Sequence, residues 1–167
     1  MGIAGASLAP VLALLVASSA RADDTILKFK GGIVEIPVIG TPAVPVANVV
    51  RTIQPAGTPW VIRALSAEVK VDGRIHVEGR GLLLAGGNGI GTNGGQKVFA
   101  TLICEPTAPF TQHSTNPAGV PLEPDGDFLI KDVLSPAPPA NCVSPVLLIR
   151  VTGAQPNPWF AAGIPRQ

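Results

Sequence analysis

The chain has 167 residues, with 12 Lys+Arg against 11 Asp+Glu, 19 Gly, 18 Pro and 4% aromatic residues. This near-neutral balance, with no basic cluster larger than Lys28 and Lys30, excludes the basic stripe that a nucleic-acid or anionic-membrane binder would carry. Gly and Pro interrupt almost every window of a dozen residues, so a long helix has nowhere to form.

Residues 8–17 are an apolar run, followed by Ala20-Arg21-Ala22, a small-x-small cleavage site. The pattern predicts a signal peptide over 1–22 and a mature chain that is secreted or cell-wall-associated. The run is shorter than the roughly 20 residues of a membrane span, so no stable membrane insertion is expected after cleavage. Removing 1–22 takes away Arg21 and no acid, which leaves the mature chain formally neutral. Its length suits a single domain burying roughly 70% of its extended-chain surface. Within that domain, 23–58 supplies N-terminal strands and a connection, and 59–167 forms the main β region.

The apolar runs are short and rich in Val and Ile. Residues 25–30 alternate, with Leu27 and Phe29 on one face and Lys28 and Lys30 on the other; 33–38 follows after Gly31-Gly32. A third strand is expected over 44–53, with Pro45 marking an edge or a strand start. A longer one is expected over 60–71, in preference to a helical turn within 64–70.

Around Asp72-Gly73 the sequence reads as a hairpin, and its register can be argued. A two-residue loop would set Lys70 opposite Ile75 and mix apolar with charged residues on one face. A three-residue loop, Val71-Asp72-Gly73, sets Val69 opposite Ile75, Ala67 opposite Val77 and Glu68 opposite His76. The expectation is therefore Gly73 in the left-handed conformation, closing a type I turn with a G1 bulge.

Further strands are expected at 82–84, 97–104, 120–122, 128–134 and 146–151, separated by turn sequences such as Glu123-Pro124-Asp125-Gly126-Asp127. Short strands at this spacing, without interleaved helices, indicate an antiparallel sandwich or barrel.

Cys104 and Cys142 then set a topological condition. With strands 98–104, 128–134 and 146–151 alone, the two cysteines would lie at opposite ends of the sheet, beyond the roughly 7 Å Cα separation a disulfide tolerates. A strand at 120–122 supplies the missing reversal. A Cys104–Cys142 disulfide is expected in preference to free thiols or a metal site.

The order of Pro59-Trp60-Val61-Ile62, the Asp72-Gly73 turn, Gly81-Leu82-Leu83, the Cys104 strand, Val120-Pro121-Leu122, Gly126-Asp127-Phe128 and Cys142-Val143-Ser144-Pro145 before Leu147-Leu148-Ile149-Arg150 resembles a group of secreted bacterial proteins of unassigned function. The resemblance covers about 59–162. It implies an exported all-β protein with an antiparallel immunoglobulin-like β-sandwich of about 7–9 strands, and it supplies no activity.

No motif carries chemistry. Gly89-Ile90-Gly91-Thr92-Asn93-Gly94 spells G-x-G-x-x-G, but a dinucleotide site needs a helix to begin there, and a strand follows. Asp125, Asp127 and Asp132 lack the further oxygen ligands of a calcium loop. His76 and His113 are too isolated for zinc. Ser114 adjoins His113, but neighbours on an extended segment point apart, and no nucleophile elbow is present. Trp60 and Trp159 are expected in the core, the alternative being an exposed contact for a partner or a sugar. No catalytic residue, metal or cofactor is therefore expected.

Two functions remain from this reading. The first is a non-catalytic extracellular interaction module presenting the loops 85–95 and 106–118, with Asn88, Ile90, Thr92 and Asn93 as the candidate contacts for an extracellular protein or glycan. The alternative is a small extracellular hydrolase using carboxylates around Glu68, His76 and Glu78.

Overall fold

Two hydrophobic periodicities in the sequence become two kinds of strand. The computed structural model describes residues 1–2, 24–41, 43–153 and 156–166, so the signal-peptide expectation, beyond Met1 and Gly2, lies outside the described residues. The strands are β1 (Thr25–Val34), β2 (Val38–Thr41), β3 (Val44–Ala47), β4 (Trp60–Val61), β5 (Ala64–Lys70), β6 (Arg74–Arg80), β7 (Leu83–Leu84), β8 (Lys97–Ile103), β9 (His113–Ser114), β10 (Val120–Pro121), β11 (Phe128–Val133), β12 (Val146–Val151) and β13 (Trp159–Pro165). No described residue is helical.

Strands β5 and β6 alternate buried and exposed, with Leu65, Ala67 and Val69 facing inward against Ile75 and Val77. One of their faces is solvated, as the polar–apolar alternation requires. By contrast β8 and β12 are buried on both faces. Leu102, Leu147 and Ile149 belong to the main core, while Ile103 and Leu148 join Trp159 and Ile53 in a second, smaller core on the other side. The segment 48–56 covers that second core; Trp159 donates its N–H to Gln54 O at 3.0 Å, and Ala56 donates to Trp159 O at 3.2 Å. Burial on both faces explains why 97–104 and 146–151 read as continuous apolar runs.

The main sheet holds nine strands in the order β10-β8-β12-β13-β1-β5-β6-β11, with β9 also paired to β8. Every pairing in it is antiparallel. Its two ends approach each other. Ser114 of β9 and Ser135, just beyond β11, exchange backbone hydrogen bonds of 3.0 and 2.8 Å. The sheet therefore curls almost closed, a near-barrel, and two small two-stranded sheets, β2-β3 and β4-β7, lie outside it. Thirteen described strands exceed the seven to nine expected: 60–71 divides into β4 and β5, and β9 and β13 form where no strand was expected.

The hairpin register is the expected one. Val69 pairs with Ile75, Ala67 with Val77 and Glu68 with His76. Gly73 has φ +85 and donates its N–H to Lys70 O at 2.9 Å.

Several boundaries differ from expectation for local reasons. The Gly31-Gly32 break is a bulge inside β1, where the register shifts between Phe29↔Pro165 and Gly32↔Gly163 and Gly31 has φ +94. Val38 belongs to the separate β2. Strand 44–53 stops at Ala47, because Val50 and Ile53 bridge back on each other across Arg51 and Thr52, both at positive φ. Strand 60–71 splits where Arg63 donates its N–H to Arg80 O at 2.9 Å. The one long strand without an expectation is β13, whose Ala-Ala-Gly centre shows no alternation. A β-carbon at Gly163 would lie 3.1 Å from Phe29 and 3.2 Å from Leu147, so small residues there let neighbouring side chains cover the strand.

Candidate functional site

Cys104 follows β8 directly, and Val146 of β12 pairs with Ile103, so the antiparallel β8-β12 ladder brings both cysteines to one end of the sheet. They are bonded, with Cα atoms 4.7 Å apart, and β10 is present as the topological argument requires. Ser144 donates its N–H to Cys104 O at 3.0 Å. The Arg51 guanidinium adds a further tie at this end. It donates to Glu105 O and to Ser144 Oγ and lies 5.0 Å from the centre of the Phe110 ring. This end is a structural staple.

The loop 85–95 lies at the opposite end of β8. Its glycine-rich backbone is folded by internal hydrogen bonds. Gly91 donates its N–H to Leu84 O at 2.8 Å, and Leu84 donates to Thr92 O at 2.9 Å. Asn93 is the anchor: its side-chain amide donates to Leu122 O at 2.9 Å and Glu123 O at 3.0 Å, while its Oδ1 accepts from Gly95 N–H at 2.9 Å. Thr92 Oγ1 donates to Gly89 O at 2.7 Å. Of the four candidate contacts, Thr92 and Asn93 thus hold the loop, whereas Asn88 is exposed and Ile90 is 66% exposed. The turn and cap chemistry of Asn93 was the signal that could have separated these roles.

The second expected loop, 106–118, does not join the first in one surface. It leaves β8 at the cysteine end and returns along the strand, where Thr115 donates its N–H to Ala100 O at 2.9 Å. The length of β8 therefore separates its tip from 85–95.

Glu68, His76 and Glu78 do share one outer face. Glu68 pairs with His76, Ser66 with Glu78, and Lys131 of β11 with His76 on the other side. A shallow groove of about 410 Å³ runs over Lys28, Lys30, Glu68, His76, Glu78 and Arg166. Each carboxylate is already matched: Glu68 with Lys28 at 3.8 Å, and Glu78 with Arg80 at 2.6 Å. The Arg80 guanidinium holds the Glu78 carboxyl below the usual range, the reverse of what a general acid needs. The face has the character of a solvated, charge-alternating strand pair.

The three aspartates considered for calcium are engaged in local hydrogen bonds. Asp127 Oδ1 accepts from Gly81 N–H at 2.9 Å, Asp125 Oδ1 from Asp127 N–H at 3.1 Å, and Asp132 Oδ2 from Asn116 N–H at 2.8 Å. These are turn and loop contacts, and no group of three or more metal-ligating side chains converges among the described residues. His113 is buried, its Nδ1 2.8 Å from Pro136 O, while Ser114 Oγ bonds Thr101 Oγ1 at 2.9 Å; the two do not form a dyad. Trp60 stacks on Phe160 with centroids 4.0 Å apart, and Trp159 donates Nε1–H to Asn48 O at 3.2 Å. Both tryptophans are core residues.

Two buried charges were not singled out in the sequence. Arg150 is 6% exposed and has no carboxylate beside it among the described residues; it donates to Asn157 O, Thr101 Oγ1, Gln112 Oε1 and Pro156 O and lies 5.1 Å from the Phe99 ring centre. Burial lowers its pKa. Glu35 is 1% exposed, and neither carboxyl oxygen has a hydrogen-bond partner among the described residues. Burial pushes its pKa from 4.5 to about 7. Nothing in a linear pattern distinguishes either residue from an exposed neighbour.

No protein-family model matches the chain, and no curated protein and no solved structure matches it.

Proposed function

We propose that the chain is an exported, disulfide-stapled β-scaffold that binds an extracellular protein through the tip of the loop 85–95 and carries out no catalysis. The observation that carries this reading is the contrast within the loop: Ile90 stands 66% exposed while Asn93 fixes the loop's base to two carbonyls. An apolar tip on a pre-ordered base loses little conformational entropy on binding. A glycan partner is favoured less, because a sugar platform calls for exposed aromatic rings and both tryptophans are buried.

Export is supported by the apolar run at 8–17 and by the disulfide, since disulfides persist in oxidising compartments. The continuous sheet favours a single curled scaffold over the two-sheet immunoglobulin-like packing that the motif order implies. Arg80 beside Glu78 works against the hydrolase alternative.

The test is affinity capture from the native secretome or cell-wall fraction, comparing the wild-type chain with Ile90→Asp. Loss of a captured protein at an unchanged melting temperature supports the assignment. Equal capture by both chains removes the loop from the interface.

A further inference from the structure

Two of the six asparagines precede a glycine, Asn88-Gly89 and Asn93-Gly94. Such a pair is chemically labile, because the unhindered glycine nitrogen can attack the asparagine side-chain carbon and close a five-membered succinimide. Asn116 and Asn157 precede prolines, which have no N–H, and Asn48 and Asn141 precede Val49 and Cys142, whose side chains hinder the nitrogen. In sequence the two Asn-Gly sites of the loop 85–95 are alike; the fold separates them.

At Asn93 the reacting groups are engaged. Its Nδ2 donates to Leu122 O and Glu123 O, its Oδ1 accepts from Gly95 N–H at 2.9 Å, and Gly94 donates its N–H to Thr92 Oγ1 at 3.4 Å. Ring closure there requires the base of the loop to open first. At Asn88 they are not. The side chain is exposed, and neither it nor the Gly89 N–H has a hydrogen-bond partner among the described residues. Ile90 donates its N–H to Gly87 O at 3.3 Å, so Asn88 and Gly89 are the two central residues of a turn, held by one long bond that uses neither of their N–H groups. Packing fixes the glycine: a β-carbon on Gly89 would fall 2.9 Å from Leu84 Cδ1. The contact with Leu84 thus keeps the least hindered nitrogen beside the exposed asparagine.

We propose that Asn88 is a self-modification site, whose deamidation places a negative charge on the loop tip beside Ile90. Gly89 N gives its proton to solvent base and attacks Asn88 Cγ. The N–Cγ bond forms, the Cγ–Nδ2 bond breaks, and ammonia leaves with a proton taken back from solvent. Water then opens the succinimide. Breaking the new N–Cγ bond yields aspartate; breaking the original peptide bond yields isoaspartate, in which the main chain runs through the side chain. Nothing is oxidised or reduced, and water is the one co-reactant. Either product puts a carboxylate into a loop that has no acidic residue between 85 and 95. The modification rests on the chain's own chemistry and not on the loop's role in binding.

Incubating the purified, folded chain in mildly alkaline buffer and mapping it by mass spectrometry tests this, with digestion under mildly acidic conditions that halt the reaction. The tryptic peptide 81–97, bounded by Arg80 and Lys97, carries both asparagines, so each is the control for the other in one spectrum. A converted residue gains the mass difference between OH and NH2, and fragment ions assign it. Asn88 converts first, to a mixture of aspartate and isoaspartate, and Asn93 is on the order of tenfold slower because its hydrogen bonds must open. In the urea-unfolded chain the two convert at comparable rates. Asn88→Gln, which would have to close a six-membered ring, removes the early product and leaves Asn93 as slow as before. Equal conversion of both residues in the folded chain overturns the proposal. So does conversion led by Asn93, or an Asn88 that stays intact in the folded chain while the unfolded chain converts.

Discussion

Phe128 and Gly79 face each other directly across the β6-β11 ladder, and the Phe128 ring fills the space a side chain at 79 would need. A β-carbon built on Gly79 would fall 2.0 Å from Phe128 Cε1 and 2.2 Å from Cζ. Glycine in a strand interior is normally a cost, and here the ring covers the bare backbone and compensates for it.

Gly79→Ala should therefore destabilise the fold by about 1–3 kcal/mol, the range for overpacking a well-filled core. Equilibrium urea unfolding measures the loss. In Phe128→Ala, where the ring is gone, adding Gly79→Ala should cost much less; equal costs in both backgrounds would rule out the ring as the cause.

The disulfide joins positions 38 residues apart. In the chain-entropy account, closing such an interval contributes roughly 4 kcal/mol. Cys104→Ser with Cys142→Ser should lower the unfolding free energy by that order, and wild type measured with reductant should behave like the double variant. The folded residual structure should keep the β8-β12 ladder, because Leu102, Leu147 and Ile149 remain buried.

Glu35 makes stability depend on pH in a definite direction. Below about pH 4.5 the carboxyl is protonated in both folded and unfolded chains, and its full contribution is present. Between 4.5 and about 7 the unfolded chain releases the proton while the folded chain keeps it, so stability falls as pH rises. Above about 7 the loss levels off, at about 3 kcal/mol. Glu35→Gln should flatten this window relative to wild type; parallel profiles from pH 4 to 8 would show that the carboxyl titrates normally.

Asn93→Asp replaces the amide that donates to Leu122 O and Glu123 O with a carboxylate facing both carbonyls. Amide hydrogen exchange should accelerate at Gly91 and Thr92, whose N–H groups are bonded within the loop, while Val77 in the centre of β6 stays protected. The expected destabilisation is about 1–3 kcal/mol from unsatisfied carbonyls. Unchanged exchange at Gly91 would mean the loop holds itself without Asn93.

Local patterns and distant contacts divided the information in this chain. The period-two alternation of 64–80 determined β5, β6 and the Val71-Asp72-Gly73 loop, because a one-residue slip would have turned Val69, Ile75 and Val77 to water. The two cysteines, with the strand at 120–122, determined which end of the sheet is stapled. Apolar and aromatic composition placed both tryptophans in the core. Only the tertiary structure decided the rest. The β13 strand exists because β1 and β12 supply its partners and Phe29 and Leu147 cover Gly163, contacts remote in sequence. The near-closure of the sheet depends on Ser114 meeting Ser135. Glu35 and Arg150 are ordinary charged residues in the sequence; burial, a property of the assembled fold, left one carboxyl without a hydrogen-bond partner among the described residues and made the other a cation held by neutral oxygens.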